Sequence, residues 1–317
     1  MMMMNYTQVS FFIMGSYVDT GLLRYLCFLV VVCLYVVIVV SNVFLLVVIC
    51  VNRSLHEPMY LFLCSLLVNE LYGSSGLFPF LLLQILSDVH TVPAAFCFLQ
   101  IFCLYMYANV EFYNLAVMSY DRYVAICHPL QYNARMTLQK VSVLVALSWF
   151  LPVVFIVVMI SPNASLRLCG NVIDGLYCNN YAVVKLACSD TTVNNVYGLV
   201  YTFTVLVGLA GLILYSYTRI LRVCFSGSRQ TRQKAVSTCS PHLASLINFF
   251  FGCFFEVLQS RFDMSSVPHM LRVLLSVYFI CCQPLFNPLV YGLNLTNVRL
   301  ICRRLLAGKI TAKRSDF

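Results

Sequence analysis

The stretch MSYDRYVAICHPLQY, residues 118–132, decides how the chain is read. It lies where a long apolar segment runs out into basic sequence, and it sets Asp121, Arg122 and Tyr123 at that edge. A charged pair at the end of a membrane helix is costly unless it meets water or a partner. On charge alone, the pair reads as an interfacial anchor, because arginine snorkels and tyrosine favours the headgroup layer.

The composition around this stretch demands a membrane. The chain has 317 residues, 61% hydrophobic and 10% charged, with a mean hydropathy of +0.88. Soluble domains carry about 25% charged residues. A spanning helix needs about 20 predominantly apolar residues, and segments 24–51, 58–83, 96–122, 141–161, 196–221, 237–260 and 270–292 qualify. Pro58, Pro93, Pro129, Pro162, Gly227 and Pro268 punctuate them. The expected fold class is therefore all-α, a seven-transmembrane helix bundle forming one domain over residues 1–317. No internal repeat interrupts it.

Sidedness follows from charge. Of the 20 Lys and Arg, all but Arg24, Arg167, Lys185, Arg261 and Arg272 fall on one side when the spans are threaded alternately. The positive-inside rule makes that side cytoplasmic. Residues 1–23 are then an extracellular N-terminus and residues 293–317 a cytoplasmic tail. The first apolar run, about 27 residues, exceeds the core of a cleaved signal peptide and is expected to stay as a span. Asn5-Tyr6-Thr7 fits a glycosylation acceptor at Asn5 on the outer side. The net charge of +9 is thus partitioned by the bilayer, and membrane lipids rather than nucleic acid are the expected partners. Beyond the seventh span, Val298, Ile301, Cys302 and Leu305 recur at helical spacing between arginines, which predicts a short amphipathic C-terminal helix. Cys302 is a candidate for palmitoylation beside its free-thiol state.

Of the 16 cysteines, only Cys97, Cys169, Cys178 and Cys188 lie on the outer side, where disulfides persist. Four cysteines allow three pairings, and spacing does not choose among them. Hydrolase and phosphate-loop motifs are missing from the sequence. Two acids are predicted to be deeply buried, Glu70 in the second span and Glu111 in the third. Counted from Pro58 and Arg122, both lie about 16–18 Å from the inner edge. Asn42 of the first span falls in the same layer. A lone carboxylate there should protonate, whereas a close pair can share a proton or hold a cation.

Asp121-Arg122-Tyr123 followed by Val-Ala-Ile-Cys-His-Pro-Leu resembles the end of the third helix and second cytoplasmic loop of odorant receptors, rhodopsin-like G-protein-coupled receptors. Further resemblances are Leu55-His56-Glu57-Pro58-Met59-Tyr60, Ser216-Tyr217, the run from Lys234 through Ser240-Pro241-His242-Leu243, and Pro284-Leu285-Phe286-Asn287-Pro288-Leu289-Val290-Tyr291. The sequence departs from the family pattern at Glu70, Val236, Pro241 and Phe251. The resemblance implies disulfides Cys97–Cys178 and Cys169–Cys188. It also implies a sodium ion at Glu70 and Glu111 in the resting state, with no other cofactor.

It implies further that Tyr217 and Tyr291 turn inward on activation. Arg122 then leaves Asp121 to meet a heterotrimeric G protein, of the stimulatory olfactory type acting through cyclic AMP. Proline at Asn287-Pro288 weakens the seventh helix, because it removes an N–H and crowds the preceding turn. Mapped through the resemblance, a pocket for small odorant molecules is expected in the outer half. On the third helix it takes Ile101, Leu104, Tyr105, Ala108, Asn109 and Phe112, which share a side at helical spacing. Tyr201, Thr202 and Val205 face them from the fifth, and Phe251, Phe255, Leu258 and Gln259 from the sixth. Leu104 stands where amine receptors place an acid, and Arg261 and Arg272 lie near the rim, so neutral or anionic ligands are expected. The expected function is that of an odorant receptor in the plasma membrane, not an enzyme. Alternatives are the same fold in a non-olfactory chemosensory role, or a membrane transporter.

Overall fold

A computed structural model describes residues 9–17, 21–226, 229–262, 264, 266–294 and 298–301. Seven long helices carry the fold: α1 Leu23–Val51, α2 Pro58–Leu86, α3 Ala94–Cys127, α4 Leu138–Ile160, α5 Thr192–Ser226, α6 Arg229–Arg261 and α7 His269–Asn294. All seven are long and apolar enough to cross a bilayer. Inside hydrocarbon a helix satisfies its own backbone groups, which is why apolar runs of this length fold this way. Pro58 begins α2, where a missing N–H costs nothing. Thr137 caps α4 by accepting from the Lys140 amide at 3.3 Å.

Several boundaries move relative to the sequence reading, α5 among them, which runs Thr192–Ser226 rather than 196–221. Helix α3 continues to Cys127 and ends only ahead of His128-Pro129, since a residue before proline avoids the helical region. Asp121, Arg122 and Tyr123 therefore sit inside the last two turns rather than at the helix end. Helix α6 begins at Arg229, so the basic entry to the sixth span is helical rather than loop.

The bundle is built around α3, which packs against α2, α4, α5 and α6, while α7 closes against α1, α2 and α6. Gly73 lets α2 and α3 approach closely: a Cβ there would collide with the Tyr107 ring. The all-α expectation needs one amendment. Strand β1 (Phe11–Met14) pairs antiparallel with β2 (Thr91–Pro93) and parallel with β3 (Val172–Ile173). This small sheet gathers the N-terminal segment, the α2–α3 loop and the α4–α5 loop at one end of the bundle. Phe12, Met14, Val92 and Ile173 turn inward onto the buried Cys97–Cys178 disulfide. A second disulfide, Cys169–Cys188, ties the α4–α5 loop to itself. Strands of two to four residues with both faces apolar leave no alternation to detect.

Past α7, residues 298–301 are helical, and Val298 and Ile301 pack near Tyr291 and Met59. The remainder of the predicted amphipathic segment, with Cys302 and Leu305, lies outside the described residues, as does Asn5.

Candidate functional site

Three polar or hollow features line up along α3. The first is a cavity of about 200 Å³ below the sheet-capped end. Leu104, Tyr105, Ala108, Asn109 and Phe112 of α3 line it together with Tyr201, Thr202 and Val205 of α5. Ile101 instead packs into the cluster around the disulfide. Asn109 is already engaged: it accepts from the Tyr201 hydroxyl at 2.6 Å and donates to the Tyr105 carbonyl at 2.8 Å.

The sixth-helix expectation is corrected. Phe251 is 54% exposed and faces an apolar groove between α5 and α6 on the outside of the bundle. Phe255 and Leu258 do not line the cavity, and Gln259 lines a wider vestibule of about 580 Å³ above it. The α6 residues that do face the cavity are Cys253, Glu256, Val257, Ser260 and Arg261, the i, i+3, i+4, i+7, i+8 pattern of one helical face. Tyr177, Asn179 and Tyr181 of the α4–α5 loop also line the cavity, as does Phe279 of α7. The pocket thus contains a carboxyl, Glu256, that was not among the residues expected from the sixth helix. A polar residue inside an apolar span was the available signal. Burial, and next the nearby Glu256 charge, push the Tyr177 phenol well above its usual pKa.

Midway down the bundle, Glu70 and Glu111 are fully buried and meet. Asn287 of α7 donates to Glu70 and, at 3.0 Å, to Glu111. Tyr107 donates to Glu70 at 3.2 Å, Asn69 to Glu111 at 3.0 Å and Gln283 to Glu111 at 3.3 Å. Ser245 of α6 donates to Asn287 at 2.6 Å, which joins four helices through one amide. Asn42 donates to the carbonyl of Pro284 at 2.8 Å, an acceptor of the kink-bearing segment of α7. The oxygens Asn69 Oδ1 and Ser74 Oγ are buried without a partner among the described residues. Two carboxylates with spare neutral oxygens suit a monovalent cation. Among the described residues no group of three or more His, Cys, Asp or Glu forms a multivalent-metal site.

At the basic end, Arg122 Nε donates to Asp121 Oδ2 at 2.9 Å, and Tyr132 donates to Asp121 Oδ1 at 2.7 Å. Asp121 itself is fully buried. Tyr123 pairs with His128 at 3.1 Å. Tyr217 of α5 meets His242 of α6, whose Nε2 lies 2.9 Å from the Leu115 carbonyl of α3. A carbonyl only accepts, so Nε2 carries the proton and, in a neutral ring, Nδ1 accepts from the Tyr217 hydroxyl. His242 therefore fastens three helices. It was quoted in the sequence only as part of a motif, and its role needed the packing. Tyr291 is fully buried, with its phenol near Ser245, and Pro288 lies inside α7 beside Asn287.

The sequence profile of the olfactory receptor family matches residues 31–309. The chain belongs to the olfactory receptor family. Olfactory receptor 11A1 of Homo sapiens is 36% identical over 314 residues, covering 97% of this chain and 96% of the relative. Olfactory receptor 6E1 of Mus musculus is 33% identical, covering 95% and 96%. Among solved structures, squid rhodopsin superposes with a TM-score of 0.74 at 14% identity, covering 95% of this chain and 85% of that one; this likeness is one of fold. This olfactory receptor is accordingly a rhodopsin-like, multi-pass G-protein-coupled receptor and not an enzyme. Odorant binding and G-protein coupling in general come with the family.

Proposed function

We propose that this olfactory receptor binds small organic molecules in the cavity between α3, α5, α6 and α7, and signals through a stimulatory olfactory-type G protein that raises cyclic AMP. The chain acts as a single receptor domain in the plasma membrane, with the sheet-capped end outside and the basic end inside. The reading is supported above all by α3, which lines the cavity at Leu104 and carries Arg122 at the other end. The 18 helical steps from Leu104 to Arg122 span about 27 Å of continuous helix. A mostly apolar chamber with a few polar groups suits a small molecule. At the far end, Asp121, itself bonded by Tyr132, holds Arg122 in a resting pairing, and Tyr217 is held by His242. Activation releases both and opens the space between α3 and α6 for a G protein.

Ala108 offers the direct test. Ala108→Phe fills the cavity from its α3 wall without touching the basic end. In cells reporting cyclic AMP, agonist potency should fall at least about tenfold, as expected when ~1.4 kcal/mol or more of binding is lost, at unchanged surface level. Unaltered potency would place the ligand elsewhere.

The carboxylate pair carries a second expected result. Glu70 and Glu111, with Asn69 Oδ1 and Ser74 Oγ, would hold a sodium ion, which supplies a counter-charge in the resting packing. A cation shifts the equilibrium only by binding one state more tightly. Raising sodium at fixed ionic strength should lower agonist potency several-fold, the scale of ordinary allosteric coupling, and Glu111→Gln should blunt the effect. Sodium-independent potency would leave a proton-sharing pair.

A further inference from the structure

Glu256 stands where the cavity opens into the vestibule, lining both. Its Oε2 is sealed from solvent and has no hydrogen-bond partner among the described residues. Tyr177 and Asn179 stand within hydrogen-bonding reach of the carboxyl, yet neither Oε2 nor the buried Tyr177 hydroxyl makes a well-aligned bond. No described cation lies within ion-pair reach of Glu256: Arg272 is taken by Asp174 at 3.0 Å, and the Arg261 guanidinium lies over the Tyr181 ring at 4.1 Å. Asn109, another polar group of the chamber, is satisfied by Tyr201 and Tyr105. The chamber therefore holds a buried carboxyl oxygen without a well-aligned donor, beside the rings of Tyr105, Tyr177 and Tyr181.

Taking a carboxyl out of water without a donor is unfavourable, and a charged one needs a counter-charge. An ammonium brings both. It has donors and no acceptor, which matches Glu256 Oε2 and the Tyr177 oxygen, and aromatic faces attract it. Leu104, Ala108, Phe112, Val205 and Leu206 give the cavity a hydrocarbon wall, while Thr202, Ser260 and Arg261 also line it.

We propose that Glu256 receives the ammonium group of a primary aliphatic amine whose hydrocarbon tail fills the cavity below. This rests on the reading that the cavity is the ligand site, and it reverses the ligand charge expected from α3 and the rim arginines. In amine receptors the acid stands on the third helix; here it comes from the sixth.

The test compares hexylamine, hexanol and hexanoic acid, which share one chain length, on the purified full-length receptor by ligand-dependent thermal stabilisation. Hexylamine should bind on the order of tenfold more tightly than hexanol, as expected for a hydrogen bond to a charged group. Glu256→Gln should erase that preference while hexanol binding persists. Ala108→Phe should weaken both ligands. Equal binding of amine and alcohol by the wild-type receptor, or tighter binding of hexanoic acid, overturns the proposal without relying on any variant's folding. If Ala108→Phe changes nothing, the cavity reading fails together with it. If Ala108→Phe abolishes binding but the amine is not preferred, only the assignment to Glu256 falls.

Discussion

Cells carrying Arg122→Ala should lose agonist-driven cyclic AMP, with the receptor still present at the surface. Arg122 is the only described cation paired with Asp121, and the carboxylate is fully buried. In the resting arrangement the pair is closed by Tyr132, whose phenol is itself pushed above its usual pKa by burial and next by the Asp121 charge. Removing Arg122 takes away the group that would face the G protein. It also leaves a buried carboxylate with only Tyr132 for company, and breaking a buried pair typically costs about 3–5 kcal/mol. Loss of fold and loss of coupling must therefore be separated. Asp121→Asn does this, because it frees Arg122 without removing it and should raise basal cyclic AMP. Surface labelling and cyclic AMP are read together for both variants. Normal signalling by surface-expressed Arg122→Ala, or unchanged basal signalling in Asp121→Asn, would contradict the switch.

Cys178→Ser should keep the receptor from the cell surface almost completely. Cys97 and Cys178 are fully buried beneath the sheet, and the Cys178 amide donates to Gln100 Oε1 at 2.8 Å. The bond fixes the α4–α5 loop to the top of α3, and that loop supplies Tyr177, Asn179 and Tyr181 to the cavity. Losing a structural disulfide costs about 2–5 kcal/mol in small domains. The two disulfides differ in the chain they close, 81 residues of separation against 19. Loop-closure entropy makes the longer one worth about 1 kcal/mol more, and Cys169→Ser should be the milder lesion. Flow cytometry of tagged receptors measures the order. Peptide mapping that finds Cys97 and Cys178 as free thiols would refute the first bond outright.

The seven spans were legible because lipid imposes a length and a polarity on every crossing segment, and each helix lies close to its predicted range. The layer of Glu70, Glu111 and Asn42 was legible for a similar reason: depth in a membrane helix is simple counting. What could not be counted was rotation. The α3 residues from Leu104 to Phe112 do face the cavity, but α6 is turned so that Phe251 meets the outside and Glu256 the inside. Rotation about a helix axis is set by packing against neighbours, and α6 buries the polar His242 and Ser245 while Phe251 faces outward, the reverse of the face that its aromatic residues suggest. Gln283 and Asn69, which complete the carboxylate layer, are single polar residues whose partners come from other helices. His242 is legible only once α3, α5 and α6 are brought together. The sheet was invisible for a different reason, since its strands are short and lie far apart in the chain.

That sheet sets a schedule for making the receptor. Strand β1 is the central strand and is synthesised first, yet its partner β3 appears only after α1 to α4 have been made. At roughly 5–20 residues per second, β1 waits on the order of ten seconds or more with an edge unpaired, and an unpaired edge invites the wrong neighbour. Strand β1 thus waits for more than half of the chain before both of its edges are paired. A defect in the α4–α5 loop would surface as a fault at the N-terminus, because a nascent receptor cannot close that end until more than half of it has left the ribosome.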